Sequence, residues 1–434
     1  MNLVKRIGIV LLLLVFFMSL WMTYQLLDQP KPQDISQIQT ADSVVKAKDT
    51  VESTADEQQL SLAEDEFLKD STFLKHMEDG EAAYLFQKDS LKKIPASARR
   101  VNIAIIGVDA RMGTVSKRAD ANHILSIVPD SGYIEIISIP RDTPANAGMT
   151  DSTQNKLTIV HAMRGTKAYL QEAAKIAKVG PIKYWIQLGF SQAIGIIELL
   201  GQRDSKSTLQ VLRSRKGLGG DDYQRCFNQG QYIRQMLFRH FSKADGLMGE
   251  ILIRGGLALM RSNLSVEGIK GLVYDLNNAG FPKDASSIVV RVRPETGIRY
   301  KVYNFNDSAS IKQLKNKIER FNAFMAKKDS SYAKKTIDPA GRLNKVLNAL
   351  AADTSQKPKK VVDQLYPYFE QHAWLQVRNE KERAAIRKRM GDYLIFCFYK
   401  MGKPDNAKWV QYVIDTEVEM FSGKTNTKPQ SAKR

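Results

Sequence analysis

Cysteine is nearly absent: the 434 residues hold two, Cys226 and Cys397. Two thiols cannot build a disulfide framework. An oxidising compartment would permit a single bridge between them; the expected state is two buried, unpaired thiols. Acidic residues are also short, with 46 Asp plus Glu against 65 Lys plus Arg and a formal net charge of +19. That excess favours anionic partners, whether nucleic acid, acidic lipid head groups, phosphorylated substrates or acidic polymers. No internal repeat stands out along the chain.

Charge is missing altogether from Ile7–Leu27, a run of 21 residues. At 1.5 Å per residue it spans roughly 31 Å as a helix, about the thickness of a bilayer core. Lys5 and Arg6 precede it, and Asp28 and Asp34 follow. The positive-inside tendency keeps the N-terminus cytoplasmic and exports the remainder. A cleaved signal peptide is the competing reading; its apolar region is usually shorter, and no small-x-small cleavage site follows here. The expected localisation is therefore a single-pass cell-membrane protein with its bulk outside the cytoplasm. Nucleic acid drops out as a partner on this topology.

The chain divides by composition. Residues 1–6 form a cytoplasmic N-terminus and 7–27 the anchor. Residues 28–98 read as an acidic, largely disordered spacer; 28–80 alone hold 13 acids and five bases, with few aromatics. Residues 99–305 have the pattern of a mixed α/β domain. Val101–Val108 is a buried strand by length and β-branched content, and His123–Val128 and Tyr133–Ile139 are two strands joined by the turn Pro129-Asp130-Ser131-Gly132. Helices are expected at Lys167–Lys178, Ser191–Leu200, Asn228–Phe241 and Ser265–Asn277, with strands at Tyr184–Leu188 and Ser287–Arg293. Residues 306–421 read as a basic helical domain punctuated by Pro339, Pro358 and Pro404, and 422–434 as a disordered tail.

Arginine and aspartate recur in the α/β part in short motifs: Asp109 in Ile106-Gly107-Val108-Asp109-Ala110-Arg111, then Arg118-Ala119-Asp120, then Ile139-Pro140-Arg141-Asp142-Thr143. Asn155-Lys156-Leu157-Thr158, Arg213-Ser214-Arg215 and Asp222-Tyr223-Gln224-Arg225-Cys226-Phe227-Asn228-Gln229 follow. Guanidinium groups bind phosphate oxygens bidentately and stay charged at any working pH, and paired carboxylates hold a divalent cation through oxygen. Each motif alone also fits a bland role: solvated or capping aspartates, a surface Pro-Arg-Asp turn, a basic rim. His123 reads as a ligand, a base or a partly buried structural residue.

The ordered set resembles the LytR–CpsA–Psr (LCP) family of cell-wall glycopolymer phosphotransferases, over roughly Arg100–Asn304. The resemblance implies an LCP-like core: a mixed sheet flanked by helices, here with an N-terminal transmembrane helix and a C-terminal all-helical extension. It implies Mg²⁺ (or Mn²⁺) on Asp109 and Asp120, and catalytic roles for Arg141, Asp142, Asp222 and Arg225. Arg118, Lys156, Arg213, Arg215, Asn228 and Gln229 would contact substrate. The donor would be a polyprenyl-pyrophosphate-linked glycan, the acceptor a peptidoglycan sugar hydroxyl, and the oligomeric state stays open. Departures include Ala119-Asp120-Ala121 for the family's Ser-Asp-Thr, and Gly230 for a frequent second glutamine. A lipid-pyrophosphate-linked glycan pyrophosphatase and a non-catalytic lipid- or wall-binding scaffold are the alternatives. The helical extension suggests a wall-polymer or partner-binding role by its charge and position, and does not resemble the accessory domain of some family members.

Overall fold

The structure is a computed structural model that describes residues 84–85, 98–110, 112–114, 118–202, 204–218, 221–244, 246–328 and 338–422. The apolar run 7–27, most of the acidic stretch and the tail 423–434 lie outside these residues. No helix among the described residues is long and apolar enough to cross a membrane.

Eight strands occur among the described residues: β1 Tyr84–Leu85, β2 Val101–Val108, β3 Ala119–Val128, β4 Tyr133–Ile139, β5 Tyr184–Leu188, β6 Arg261–Ser262, β7 Ile288–Val292 and β8 Tyr300–Lys301. Six form one mixed sheet in the order β6-β5-β2-β3-β4-β7, and β1 pairs separately with β8. β2, β3 and β4 are antiparallel neighbours, whereas β5 joins β2 and β7 joins β4 in parallel. β1 lies within the stretch read as a spacer, and its partner Tyr300–Lys301 sits at the far end of the α/β part.

Both faces of the sheet are covered, which is why its strands are apolar almost throughout. Side chains alternate between faces along a strand. Ala104, Ile106, Ile124, Ile137 and Ile139 therefore meet Leu157, Val160 and Tyr169 of α1 (Leu157–Ala177). Ile103, Ile127, Ile134 and Ile136 meet Cys226 and Phe227 of the helix Asp222–His240 on the opposite face. That helix approaches closely at Gly230, where a Cβ would lie 2.6 Å from Val290 Cγ1 and 2.8 Å from Ser138 Oγ. The glycine that stands where the resemblance leads one to expect a glutamine is thus a point of close helix–sheet contact with no room for a side chain. Both cysteines are free and buried, as the composition leads one to expect.

Between the two covering helices come α2 (Phe190–Leu199) and α3 (Ser205–Arg213); the covering helix Asp222–His240 is α4, followed by α5 (Gly246–Leu259) and α6 (Val266–Asn278). Six more helices follow among the described residues: α7 Ser308–Lys328, α8 Pro339–Leu350, α9 Asp353–Gln356, α10 Pro358–Glu370, α11 Glu380–Lys400 and α12 Pro404–Ser422. The extension is not a separate globule. α7 packs through Ile311, Leu314 and Ile318 on Leu209 and Leu212 of α3, while Leu259 and Met112 sit in the core of the later helices. Ile194 and Ile197 of α2 are buried core residues.

Three local readings change. α1 begins ten residues before the expected Lys167 and carries a break at Gly165 (φ 75°). An interior glycine costs about 0.5–1 kcal/mol in a helix, less than the roughly 1.5–3 kcal/mol for each buried large apolar side chain, and Leu157 and Val160 are fully buried. β3 starts at Ala119, four residues before His123, because pairing with β2 extends it through small residues of modest strand preference. The prolines at 339, 358 and 404 open helices instead of only interrupting them; the first helical position needs no backbone N–H. α3 and α5 had no counterpart in the sequence reading.

Candidate functional site

The motif residues gather where β2 ends, β3 begins and β4 ends. Val108 pairs with Ala119 after a register shift at Gly107/Val108, and Asp109 N donates to Arg118 O at 3.1 Å. Asp109 and Asp120 are thereby set on neighbouring strand ends. Asn122 pairs with Ile139, which brings Arg141 and Asp142 alongside. Leu157 N donates to Thr143 O and Thr158 N to Arg141 O, at 2.9 and 3.0 Å, tying the lysine-bearing segment to the same turn.

Asp120 lies at the centre. Its Oδ2 accepts from Arg141 Nη1 at 3.1 Å, its Oδ1 from Thr158 Oγ1 at 3.2 Å, and its backbone carbonyl from Arg225 Nη2 at 3.3 Å. Arg141 Nε also reaches Asp142 at 3.4 Å, and Lys156 Nζ stands 3.5 Å from the other Asp142 oxygen. Asp221 caps α4 by accepting from Tyr223 N, and one residue later Asp222 accepts from Arg141 N at 3.3 Å. Asp222 Oδ1 also meets Arg225 Nη2 at 2.6 Å and Arg215 Nε at 3.4 Å. Arg225 lies one helical turn beyond Asp222, which is why the two meet. Arg213, at the C-terminal end of α3, stacks over the Phe190 ring at 4.7 Å and approaches Asp109 at 3.8 Å.

Burial grades the cluster. Arg225 is 7 % exposed and Arg141 19 %, whereas Arg213 is 53 % and Asp109 45 % exposed. Burial alone would lower the Arg141 pKa, but Asp120, Asp142 and Asp222 together raise it, so it stays cationic. Burial pushes the Asp222 carboxyl above its ordinary range despite Arg225 and Arg141. Two buried atoms, Arg225 Nε and Asp222 Oδ1, lack a well-formed hydrogen bond. Of the two only Arg225 Nε is a donor, the kind of unspent capacity that an added oxyanion would use.

Two predicted contact residues point elsewhere. Asn228 is buried and accepts from Gln224 Nε2 at 2.8 Å; Gln224 in turn brackets the Lys301 backbone. Gln229 is buried too: its Nε2 donates to Leu212 O at 2.9 Å, and its Oε1 faces His123 Nε2 at 3.1 Å. His123 Nδ1 lies 2.9 Å from Ser138 Oγ. With Oε1 as acceptor, Nε2 carries the proton and Ser138 donates to Nδ1. Burial lowers the His123 pKa to about 4, so the ring is a neutral brace between β3, β4 and α4. Arg118 is exposed at the entry to β3. Thr158 joins the cluster although its only signal in the sequence is its place two residues after Lys156.

Among the described residues no group of three His, Cys, Asp or Glu gathers that could hold a metal ion. Asp109 and Asp120 sit on neighbouring strand ends, Asp109 beside Arg213 and Asp120 held by Arg141 and Thr158. A cavity of about 880 Å³ opens elsewhere, lined by Arg100, Asn102, Lys178, Lys183, Arg291 and Arg293. It lies at the beginning of β2, away from the cluster at that strand's end.

The LytR_cpsA_psr family model matches residues 71–202. Among solved structures the chain is similar to TagV of B. subtilis, with 15 % identity, 52 % of this chain and 98 % of that one covered, and a TM-score of 0.39. It is similar to a transcriptional regulator from Enterococcus faecalis (15 % identity, 55 % and 97 % covered, TM-score 0.36), and to TagT bound to LIIa-WTA (16 %, 54 % and 94 %, TM-score 0.35). No curated protein matches the chain. Asp109, Asp120, Arg141 and Lys156 fall inside the matched span and Arg213, Arg215, Asp222 and Arg225 beyond it; the chain's match to the LytR_cpsA_psr family runs over residues 71–202.

Proposed function

We propose that the protein is a membrane-anchored phosphotransferase that moves a glycopolymer from a polyprenyl-pyrophosphate carrier to a peptidoglycan sugar hydroxyl. The observation that carries this reading is the convergence of Arg141, Arg215 and Arg225 on Asp120 and Asp222, with Lys156 and Arg213 at the rim. Cations leaning on aspartates can turn to the two phosphates of a pyrophosphate and neutralise the charge that builds on the leaving group. Mg²⁺ or Mn²⁺ held by Asp109 and Asp120 would act as Lewis acid on a phosphate oxygen.

The sugar oxygen attacks the glycan-proximal phosphorus, and a new P–O bond forms. The bond from that phosphorus to the bridging oxygen breaks, and polyprenyl phosphate departs with the electron pair. The hydroxyl proton passes to a carboxylate. Asp222 suits this role better than Asp142, because burial raises its pKa and so strengthens it as a base. The run Ile7–Leu27 would hold the site on the outer face of the membrane, within reach of the lipid-borne donor.

The test is the full chain in detergent with a polyprenyl-pyrophosphoryl oligosaccharide, Mg²⁺ and peptidoglycan fragments, followed by mass spectrometry of the glycan. A phosphodiester-linked glycan on peptidoglycan, lost in Asp109→Ala, is the expected result. Free glycan phosphate with acceptor present would make the protein a pyrophosphatase. Intact donor that nevertheless binds would make it a scaffold.

A further inference from the structure

Asp109 and Asp120 flank a loop whose central residues are gripped by the C-terminal helices. Met112 is buried in the core of those helices. Arg342 of α8 donates to Met112 O at 3.0 Å. Gln371, directly after α10, engages the loop twice: its Oε1 accepts from Gly113 N at 2.9 Å, and its Nε2 donates to Thr114 O at 2.5 Å. Gly113 has φ 77°, and a Cβ there would stand 2.1 Å from the Tyr368 ring of α10, so only glycine lets the loop pass.

The same helices hold two other elements of the cluster. Gln192 Nε2 in the first turn of α2 donates to Glu370 O at 3.0 Å, and Gln376 Nε2 donates to Ser191 Oγ at 2.8 Å. Lys206 of α3 donates to Gln376 O. Phe190 begins α2 and Arg213 ends α3; the two stack, and Arg213 reaches Asp109. One body therefore touches the loop between the two aspartates, the helix that begins at Phe190 and the helix that ends at Arg213.

We propose that Gln371 is a positioning residue for the phosphate site. It fixes residues 112–114, and through them Asp109 and the entry of β3, so that the C-terminal helices act as a structural wall of that site. The consequence for turnover rests on the phosphate-site reading above; the order imposed on the loop does not. A glutamine is suited to this task because it offers an acceptor and a donor side by side to a backbone N–H and a carbonyl.

The experiment is hydrogen exchange by mass spectrometry on the full chain in detergent, with farnesyl pyrophosphate plus Mg²⁺ as the binding probe. In Gln371→Ala the amides of residues 112–114 should exchange about tenfold faster, since two hydrogen bonds of ordinary strength are lost. Amides of α4, α11 and α12 should stay as in the native protein, and the probe should bind several-fold more weakly. Gln371→Glu keeps the acceptor for Gly113 N and should restore protection at that amide. Unchanged exchange at 112–114 overturns the proposal, and so does faster exchange spread evenly through α11 and α12, the mark of a residue that only braces the bundle. Should the native protein bind no farnesyl pyrophosphate, the phosphate-site reading fails, while the exchange contrast still decides the positioning role.

Discussion

Two of the clusters that arginine and carboxylate build among the described residues are finished to different degrees. In the helical extension, Glu417 is 1 % exposed; Trp374 Nε1 and Arg387 Nη1 donate to its Oε1 at 2.8 and 2.9 Å, and His372 Nδ1 stands 3.1 Å from Oε2. Burial would raise the Glu417 pKa, but His372 and Arg387 pull it below its ordinary range. At the sheet end the inner pairs Arg225–Asp222 and Arg141–Asp120 are close, at 2.6 and 3.1 Å, but the outer ones are looser, at 3.4, 3.5 and 3.8 Å for Arg215–Asp222, Lys156–Asp142 and Arg213–Asp109, with rim partners about half exposed. A closed network joins elements of the fold. An open one, with cations leaning on carboxylates at long range, keeps interaction capacity for a ligand. The same residue types thus form a tight, buried network in one place and a looser, more exposed one in the other, although Arg387 Nε in the tight network also lacks a well-formed hydrogen bond.

The sharpest way to break this comparison is to open the closed network. Glu417→Leu leaves Arg387 and His372 buried without their anion and should cost about 3–5 kcal/mol of unfolding free energy, read by chemical denaturation. A loss below about 1 kcal/mol would mean that this network is no tighter than a surface ion pair. Next in size, Arg141→Ala should lower transfer roughly 10²–10³-fold, as removal of one charge-stabilising donor typically does, while unfolding free energy moves by about 1 kcal/mol or less. A large stability loss with normal turnover would exchange the roles of the two clusters.

The third prediction concerns His123, the brace between the open cluster and α4. Its folded pKa of about 4 lies below the unfolded value near 6.5, so the unfolded chain binds more protons between those pH values. Its contribution is complete above about pH 6.5 and is lost as pH falls towards 4, by up to about 3 kcal/mol. Denaturation midpoints of native protein and His123→Gln across that window should differ in slope; equal slopes would show that the ring titrates normally. The smallest effect is at the rim. Lys156→Met should weaken pyrophosphate binding about tenfold, some 1.4 kcal/mol, with no change in stability, measured by calorimetry at low and high salt.

Much of the α/β part was legible because its strands are apolar runs bounded by turn chemistry. β2, β4 and β5 have the same bounds in sequence and structure. The turn at Pro129–Gly132 is legible from proline and from a glycine that supplies φ 62°. α3 was not: Ser205–Arg213 is polar by composition and becomes a helix because Asp204 caps it and Leu209 and Leu212 bury against α7. Within the cluster, charged motifs marked Asp109, Asp120, Arg141, Asp222 and Arg225, since charge in short polar segments is visible in one dimension. Asn228 and Gln229 share the last motif yet turn inward, Asn228 onto Gln224 and Gln229 onto the Leu212 carbonyl and His123, partners that only the packed fold supplies.

By itself the sequence determined the five longer strands, the free and buried cysteines, the basic surplus and the order of the aspartate and arginine motifs. All of these follow from local composition and periodicity. Only the tertiary structure decided which motif residues face one another, that His123 is a neutral brace, and that Gln371, about 250 residues downstream, holds the loop between the two aspartates (258 positions from Gly113). Those outcomes depend on register between strands and on packing between distant helices, and neither quantity is encoded at any single position of the chain.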